Sequence, residues 1–267
     1  MARQRLGQHF LANPAWRERV LRTLPLEPRA TWVEIGPGHG EMTKMLAGDG
    51  RRVLAIEMDP RLAASLRDTA KNWPGVEILQ ADALEVDLGA LTGRAPAEGA
   101  LRVYGNLPYY ITSPLLHRMF ESANRIASIH IVIQLEVAER IVASPGQREY
   151  GYLSALCQFY ARPEMVFRIP AGAFRPPPKV TSALVQLPFP GQRASLVVND
   201  ERKFLHFIQS CFGQKRKTLR NNLKVAMGLR EVEAALRVQG IDPNTRAEQL
   251  SLRQFSKLYS TLSESRE

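Results

Sequence analysis

Trp32-Val-Glu-Ile-Gly-Pro-Gly-His-Gly40 decides the reading of this chain. A mostly apolar stretch, Trp32–Ile35, runs straight into glycines at alternate positions, and a helical pattern opens near Glu41. Gly36, Gly38 and Gly40 carry no Cβ, so the backbone can turn tightly and lie close against a ligand. Strand, glycine turn and helix in that order form the nucleotide site of a doubly wound sheet. The spacing is G-x-G-x-G and not the G-x-G-x-x-G of dinucleotide folds. No G-x-x-x-x-G-K-[ST] occurs, so a phosphate-cradling P-loop is out. A glycine turn that serves the fold alone is the alternative at this point.

Outward from that turn the chain alternates. Strands are expected at Trp32–Ile35, Val53–Glu57, Val76–Ala81, Leu101–Tyr104, Ser128–Ile133, Glu164–Ile169 and Ala183–Leu187. Helical patterns fall at Met42–Ala47, Leu62–Ala70, Pro114–Glu121 and Glu136–Ala143. Strands alternating with helices read as βαβ units on a parallel sheet. Pro188-Phe189-Pro190-Gly191 closes the alternation. Beyond it, Phe204–Phe212, Lys217–Met227, Val232–Val238 and Phe255–Leu262 have apolar residues at helical spacing, with one short strand-like run at Leu196–Val198. Gly213, Gly228 and Gly240 fall where helix C-caps belong. The expectation is an α/β domain over residues 1–190 and a small, basic, all-helical domain over 191–267.

Two carboxylates follow the glycine turn. Glu57 ends the next strand, where it suits the hydroxyls of a ribose. Asp82, in Leu79-Gln-Ala-Asp-Ala83, closes the third strand, where it can accept from the amino group of an adenine. Three successive strand ends point to one crevice and an adenosine-like ligand. Glu34-x-Gly36-x-Gly38-x-Gly40 resembles motif I of S-adenosylmethionine-dependent methyltransferases, whose sulfonium cofactor brings no phosphate.

The fourth strand runs into Asn106-Leu107-Pro108-Tyr109 on the same edge. The exocyclic N6 of adenine is a poor nucleophile because its lone pair is delocalised into the ring. Acceptors for its two hydrogens can localise that pair; the Asn106 amide oxygen and the Leu107 carbonyl are such acceptors. Pro108 stiffens the turn and has no N–H to satisfy. Tyr109 offers a ring on which an extruded base can stack. Such catalysis is positioning and electrostatics. A plain strand-terminating turn is the alternative.

Gly7-Gln-His-Phe-Leu11, Glu34–Gly40, Glu57, Asp82-Ala83, Asn106–Tyr109 and Phe174-Arg-Pro-Pro-Pro-Lys-Val180 occur in the order seen in the KsgA family of small-subunit rRNA adenine N6,N6-dimethyltransferases, which this chain resembles over nearly its whole length. Many members carry Asn where this chain has His9. The resemblance implies a Rossmann-like class I methyltransferase sheet with a helical C-terminal domain. It implies S-adenosylmethionine held by His9, Leu11, Gly36, Gly38, Glu57, Met58, Asp82, Ala83 and Asn106. It places Phe174 opposite Tyr109 as the second face of an aromatic sandwich around the target base; a core aromatic beside a Pro-rich turn is the alternative. The implied substrate is a pair of adjacent adenines in the 3′-terminal hairpin loop of small-subunit rRNA, and the implied partner is the small ribosomal subunit. A large-subunit rRNA methyltransferase and a non-catalytic assembly factor are the rival readings; Leu107 and the intact Asn106–Tyr109 set weigh against them.

Composition agrees with an RNA partner. The 267 residues include 36 Lys+Arg against 26 Asp+Glu, a net charge of +10. Residues 1–190 hold 22 basic and 18 acidic residues, a balance of +4, whereas 191–267 hold 14 and 8, a balance of +6. An excess concentrated in one segment favours a polyanion. Lys215, Arg216, Lys217, Arg220 and Lys224 crowd into Gln214–Lys224, and on one helix Arg216, Arg220 and Lys224 would share a face. A solvated surface helix is the alternative. Arg3 and Arg5, followed by Arg17, Arg19 and Arg22, extend the expected RNA footprint to the N-terminal arm. Cys157 and Cys211 form no disulfide framework, and no apolar run reaches a membrane span, so a cytoplasmic protein is expected; a monomer is expected as well, though no residue pattern decides it. The histidines show no metal-ligand spacing, and no metal is expected; His130 reads as a core residue. Neither cysteine follows a proline, which argues against cytosine-C5 chemistry.

Overall fold

The computed structural model describes residues 9–27, 30–91, 101–108 and 111–264. The chain divides into two compact units. The first comprises residues 1–138 and 164–189, the second 139–163 and 190–267. The second unit therefore draws on an internal segment as well as on the C-terminal part expected to form it.

The first unit is built on a seven-stranded sheet in the order β4-β3-β2-β5-β6-β9-β7. The strands are β2 (Thr31–Ile35), β3 (Arg52–Glu57), β4 (Val76–Gln80), β5 (Leu101–Asn106), β6 (Ile126–Gln134), β7 (Glu164–Ile169) and β9 (Ser182–Pro188). β2 through β6 pair in parallel, while β9 runs antiparallel to both β6 and β7. All five residues of β2 are buried, as a central parallel strand covered on both faces requires. The chain reaches the edge at β4 and returns to place β5 on the other side of β2. That reversal makes the gap between the C-terminal ends of β2 and β5 the switch point, where α/β sheets bind ligands.

The helices of this unit start where their sequences dictate. α1 (Pro14–Thr23) follows an Asn13 cap that accepts from Trp16 N–H, and α3 (Pro60–Thr69) follows an Asp59 cap that accepts from Arg61 and Leu62 N–H. Proline opens both, a position where its missing N–H costs nothing. α2 (Glu41–Gly48) begins behind Gly40, and α4 (Thr112–Glu121) follows β5. A short antiparallel ribbon joins β1 (Phe10–Leu11) to β8 (Phe174–Arg175), with Leu11 opposite Phe174. The core holds Trp32, Met42, Leu46, Val53, Tyr104 and Phe174. His130 is buried beside Trp32, with Nε2 2.9 Å from the Ser128 hydroxyl, as a core histidine. Burial and the nearby Arg102 push its pKa down to about 4.

The second unit is helical. α5 (Leu135–Val142) crosses the boundary at 138, and α6 (Tyr152–Tyr160), α7 (Glu201–Cys211), α8 (Leu219–Met227), α9 (Leu229–Val238) and α10 (Leu252–Glu264) follow. Phe159, Phe204, Phe207, Phe255 and Leu258 centre its core. Leu196–Val198 forms no strand; Leu196 and Val198 pack against this core instead. α1 and α6 are helices that periodicity did not disclose. Gly228 caps α8 at φ 85°, but α7 is capped by Phe212 and α9 by Gln239, so Gly213 and Gly240 lie one residue past the caps. No described helix is long and apolar enough to cross a membrane.

Candidate active site

The glycine turn is held from two sides. Gly36, Gly38 and Gly40 all have positive φ, a region that costs other residues steric strain. A Cβ on Gly38 would lie 2.4 Å from the Phe10 ring, so the N-terminal strand packs directly on the turn. Phe10 also meets the exposed His39 ring, at 4.9 Å between centroids. From the next strand, Glu57 Oε2 accepts from Gly38 N–H at 3.1 Å and Oε1 accepts from Asp59 N–H at 2.9 Å. Glu57 is 3% exposed. The sequence placed it at a strand end without a structural task; it in fact ties two loops together, and ligand binding would use its remaining lone pairs.

Asp82 lies two residues beyond β4 and Oδ1 accepts from Leu84 N–H at 2.9 Å, which shapes the turn that presents Ala83. Met58 is 44% exposed beside Glu57. His9 uses Nδ1 against the Pro176 carbonyl at 2.7 Å, so the 9–11 segment is bound to the Phe174–Val180 loop. Asn106 closes the set. Its Nδ2 donates one of its two hydrogens to the His9 carbonyl at 2.7 Å, which orients the amide; Oδ1 is its acceptor. Leu107 is buried, and its N–H donates to Val132 O at 3.0 Å, anchoring the tetrapeptide to β6.

Glu34 is a residue whose environment the sequence did not foretell. It is 2% exposed, and burial raises its pKa to about 7; the Thr43 hydroxyl opposes the shift, and the charges of Glu41 and Glu57 add to it. Tyr104, 1% exposed, has a hydroxyl whose pKa burial and Glu34 raise, with Arg17 opposing.

Several expectations change. Phe174 is 1% exposed within the core, so its ring has no open face for a base; its burial follows from its pairing with Leu11 in the β1–β8 ribbon. Tyr109, Arg3 and Arg5 lie outside the described residues. The basic stripe does not form on one helix. α8 starts at Leu219 behind a Thr218 cap that accepts from Asn221 N–H, so Lys215, Arg216 and Lys217 lie in the preceding turn. Lys215 Nζ donates to Arg148 O at 2.6 Å, and Arg220 pairs with Glu233 at 3.2 Å. That acidic partner comes from α9, beyond the stretch in which none interleaves. Arg216, Lys217 and Lys224 are exposed. In α1, Arg19 stacks over Trp16 and Phe167, Arg22 pairs with Glu18, and Arg17 turns inward to Glu41. Among the described residues no group of three or more His, Cys, Asp or Glu could hold a metal.

The family described as ribosomal RNA adenine dimethylase matches residues 1–264. The chain belongs to that family. A relative from Koribacter versatilis (strain Ellin345), named ribosomal RNA small subunit methyltransferase A, is 41% identical over 97% of this chain and 93% of its own. A protein of the same name from Acinetobacter baylyi is 40% identical, with coverage of 96% and 91%. Among solved structures, a dimethyladenosine transferase from Plasmodium falciparum superposes with a TM-score of 0.77 at 21% identity, covering 96% of this chain and 98% of that one; it attests the fold. The 23S rRNA methyltransferase ErmE gives a TM-score of 0.71 at 28% identity, with 95% and 99% covered. The family's Rossmann-like sheet and helical C-terminal part are thus the architecture of this chain.

Proposed function

We propose that this protein transfers methyl groups from S-adenosylmethionine to N6 of two adjacent adenines in the 3′-terminal hairpin loop of small-subunit rRNA, dimethylating each. The observation that carries the reading is the geometry of Asn106. One amide N–H is held by the His9 carbonyl, which fixes the side chain with Oδ1 as its acceptor for the substrate. The relatives at 41% and 40% identity, both named for the small subunit, favour that substrate over the one named for ErmE.

The strand ends fit the cofactor. Glycines with positive φ line the turn, Glu57 holds it, and Asp82 stands just past β4; a phosphate-free adenosine derivative needs no lysine beside them. Bound there, S-adenosylmethionine supplies a methyl group made electrophilic by its sulfonium. Glu57 would accept from the ribose hydroxyls and Asp82 from the adenine amino group, with His9, Leu11, Met58 and Ala83 closing the walls. On the substrate side, Asn106 Oδ1 and the Leu107 carbonyl accept the two N6 hydrogens and direct the lone pair outward. Leu107 N–H, held by Val132, keeps that carbonyl in place. Pro108 stiffens the turn, and Tyr109 stacks on the extruded base. Phe174 could join only if its covering neighbours moved aside. Arg216, Lys217 and Lys224, with Arg3 and Arg5, bind rRNA phosphates. This reading makes the protein a metal-free monomer of the cytoplasm that acts on the small subunit.

The test is transfer of labelled methyl from S-adenosylmethionine to undermethylated small and large subunits offered separately. Label on the small subunit supports the reading. Label confined to the large subunit favours the rival activity, and none on either removes methyl transfer.

A further inference from the structure

The three arginines of α1 have different surroundings. Arg17 turns inward to Glu41, and Arg22 pairs with Glu18, the acidic residue of the helix, at 2.5 Å. Arg19 is exposed, and among the described residues no carboxylate pairs with it. It is nevertheless held. Its Cζ lies 4.3 Å from the ring centroid of Phe167 on β7 and 5.0 Å from that of Trp16 on its own helix. The two rings are 5.8 Å apart, with planes inclined by 47°. A ring face attracts a guanidinium without neutralising its charge, and takes none of the strong hydrogen bonds that its five N–H groups can make. The result is an exposed, charged fork of donors on a fixed support, the shape that takes a phosphate bidentately.

The neighbourhood carries the same sign. From Met165 to Phe189 the chain has Arg168, Arg175 and Lys179 and no Asp or Glu. Arg175 and Lys179 are exposed. This run meets the N-terminal segment at the β1–β8 ribbon, and Asn13 N–H, at the cap of α1, donates to Ala173 O at 3.0 Å. Arg19 follows about 9 Å along the helix from Asn13. The same N-terminal segment holds Asn106 through the His9 carbonyl. We propose that Arg19, fixed on Trp16 and Phe167, binds a phosphate of the rRNA strand that enters the catalytic edge, with Arg175 and Lys179 continuing the track toward Asn106. The inference rests on small-subunit rRNA being the substrate, and it adds phosphate contacts on the catalytic unit to those of segment 214–224. Of the arm expected from the α1 arginines, this one residue remains. The ring pair matters as well as the charge, because a side chain already restricted loses less freedom on binding.

Binding of undermethylated small subunits by the full chain at several salt concentrations tests this, with Arg19→Gln, Arg19→Lys and Phe167→Leu beside the parent. Arg19→Gln should weaken binding about 10-fold, the low end for a lost charged hydrogen bond, and lower the salt slope by about 0.7–0.9. Arg19→Lys should keep the slope and still lose affinity, since an ammonium has neither the fork nor the stacking plane. Phe167→Leu leaves the charge and removes its support, so it should resemble the lysine variant. Parental affinity and slope in Arg19→Gln would overturn the phosphate contact. So would weaker binding with an unchanged slope, which would mark a packing effect. A lysine variant equal to the parent would overturn the role of the ring pair. None of these readings needs turnover. A parent that binds subunits and transfers no methyl would break the proposed function and leave the salt comparison standing, whereas a parent that binds no subunits would end both.

Discussion

The glycine turn and the basic segment 214–224 were both conspicuous in the sequence, and they fared differently. Around the turn, each motif became a position in one structure: glycines after β2, Glu57 at the end of β3, Asn106 at the end of β5. In the basic segment, linear proximity did not become a shared face. Thr218 caps a helix that starts after Lys217, and Glu233 takes Arg220. The difference is physical. A glycine with positive φ or a carboxylate at a strand end is fixed by backbone geometry that the sequence encodes locally. A charge finds its partner through packing, which brings residues distant in sequence together.

The same contrast runs through the rest of the chain. Strands were legible because apolar runs bounded by turn residues are short-range signals. α6 was not, because a helix buried on most sides, with Leu153, Ala155, Leu156, Cys157 and Phe159 all inside, shows no polar face and hence no period. α1 was masked by its arginines, which read as an RNA arm until Trp16, Glu18 and Glu41 proved to engage them. Phe174 went the same way: the β1–β8 ribbon that buries it pairs segments far apart in sequence. Glu34 was visible as a motif letter, but its burial depends on β5 and α2 closing over it.

The comparison can be broken at its stronger side first. Asn106→Ala should lower single-turnover methyl transfer by about 10²–10³, the usual loss on removing a preorganised partner of a reacting group. Tyr109→Ala should cost less, since stacking on one base is worth about 1–3 kcal/mol. The reverse order would mean that base capture, and not lone-pair direction, limits the reaction.

Glu34 gives the next effect, in stability against pH. Its folded pKa of about 7 lies above the ordinary 4.5, so its contribution is fully present below 4.5 and is lost as pH rises through 7. Between pH 4.5 and pH 8 the wild type should lose about 3 kcal/mol relative to Glu34→Gln. Denaturant unfolding of both proteins at the two values measures it, and parallel curves would mean that Glu34 is not held in an apolar site. Glu57→Ala should follow, weakening S-adenosylmethionine by about 1.5–3 kcal/mol in calorimetry. It should also lower the thermal midpoint, because Gly38 and Asp59 lose their acceptor; a midpoint equal to wild type would separate the turn from Glu57.

The smallest effect sharpens the weaker side. Arg216, Lys217 and Lys224 changed together to Ala should reduce the salt dependence of RNA binding by about 0.7–0.9 per lost phosphate contact. Arg220→Ala, whose charge Glu233 already partners, should barely alter the slope. If Arg220 carries the larger share, the helix face survives as the RNA surface and the turn before it does not.

The most direct measurement is the identity of the product. Undermethylated small subunits are incubated with methyl-labelled S-adenosylmethionine and wild type or Asn106→Ala, and the rRNA is digested to nucleosides. The account predicts label in N6,N6-dimethyladenosine with wild type, and about 10²–10³ slower appearance with the variant. Label in any other nucleoside, or equal rates from the two proteins, would contradict it.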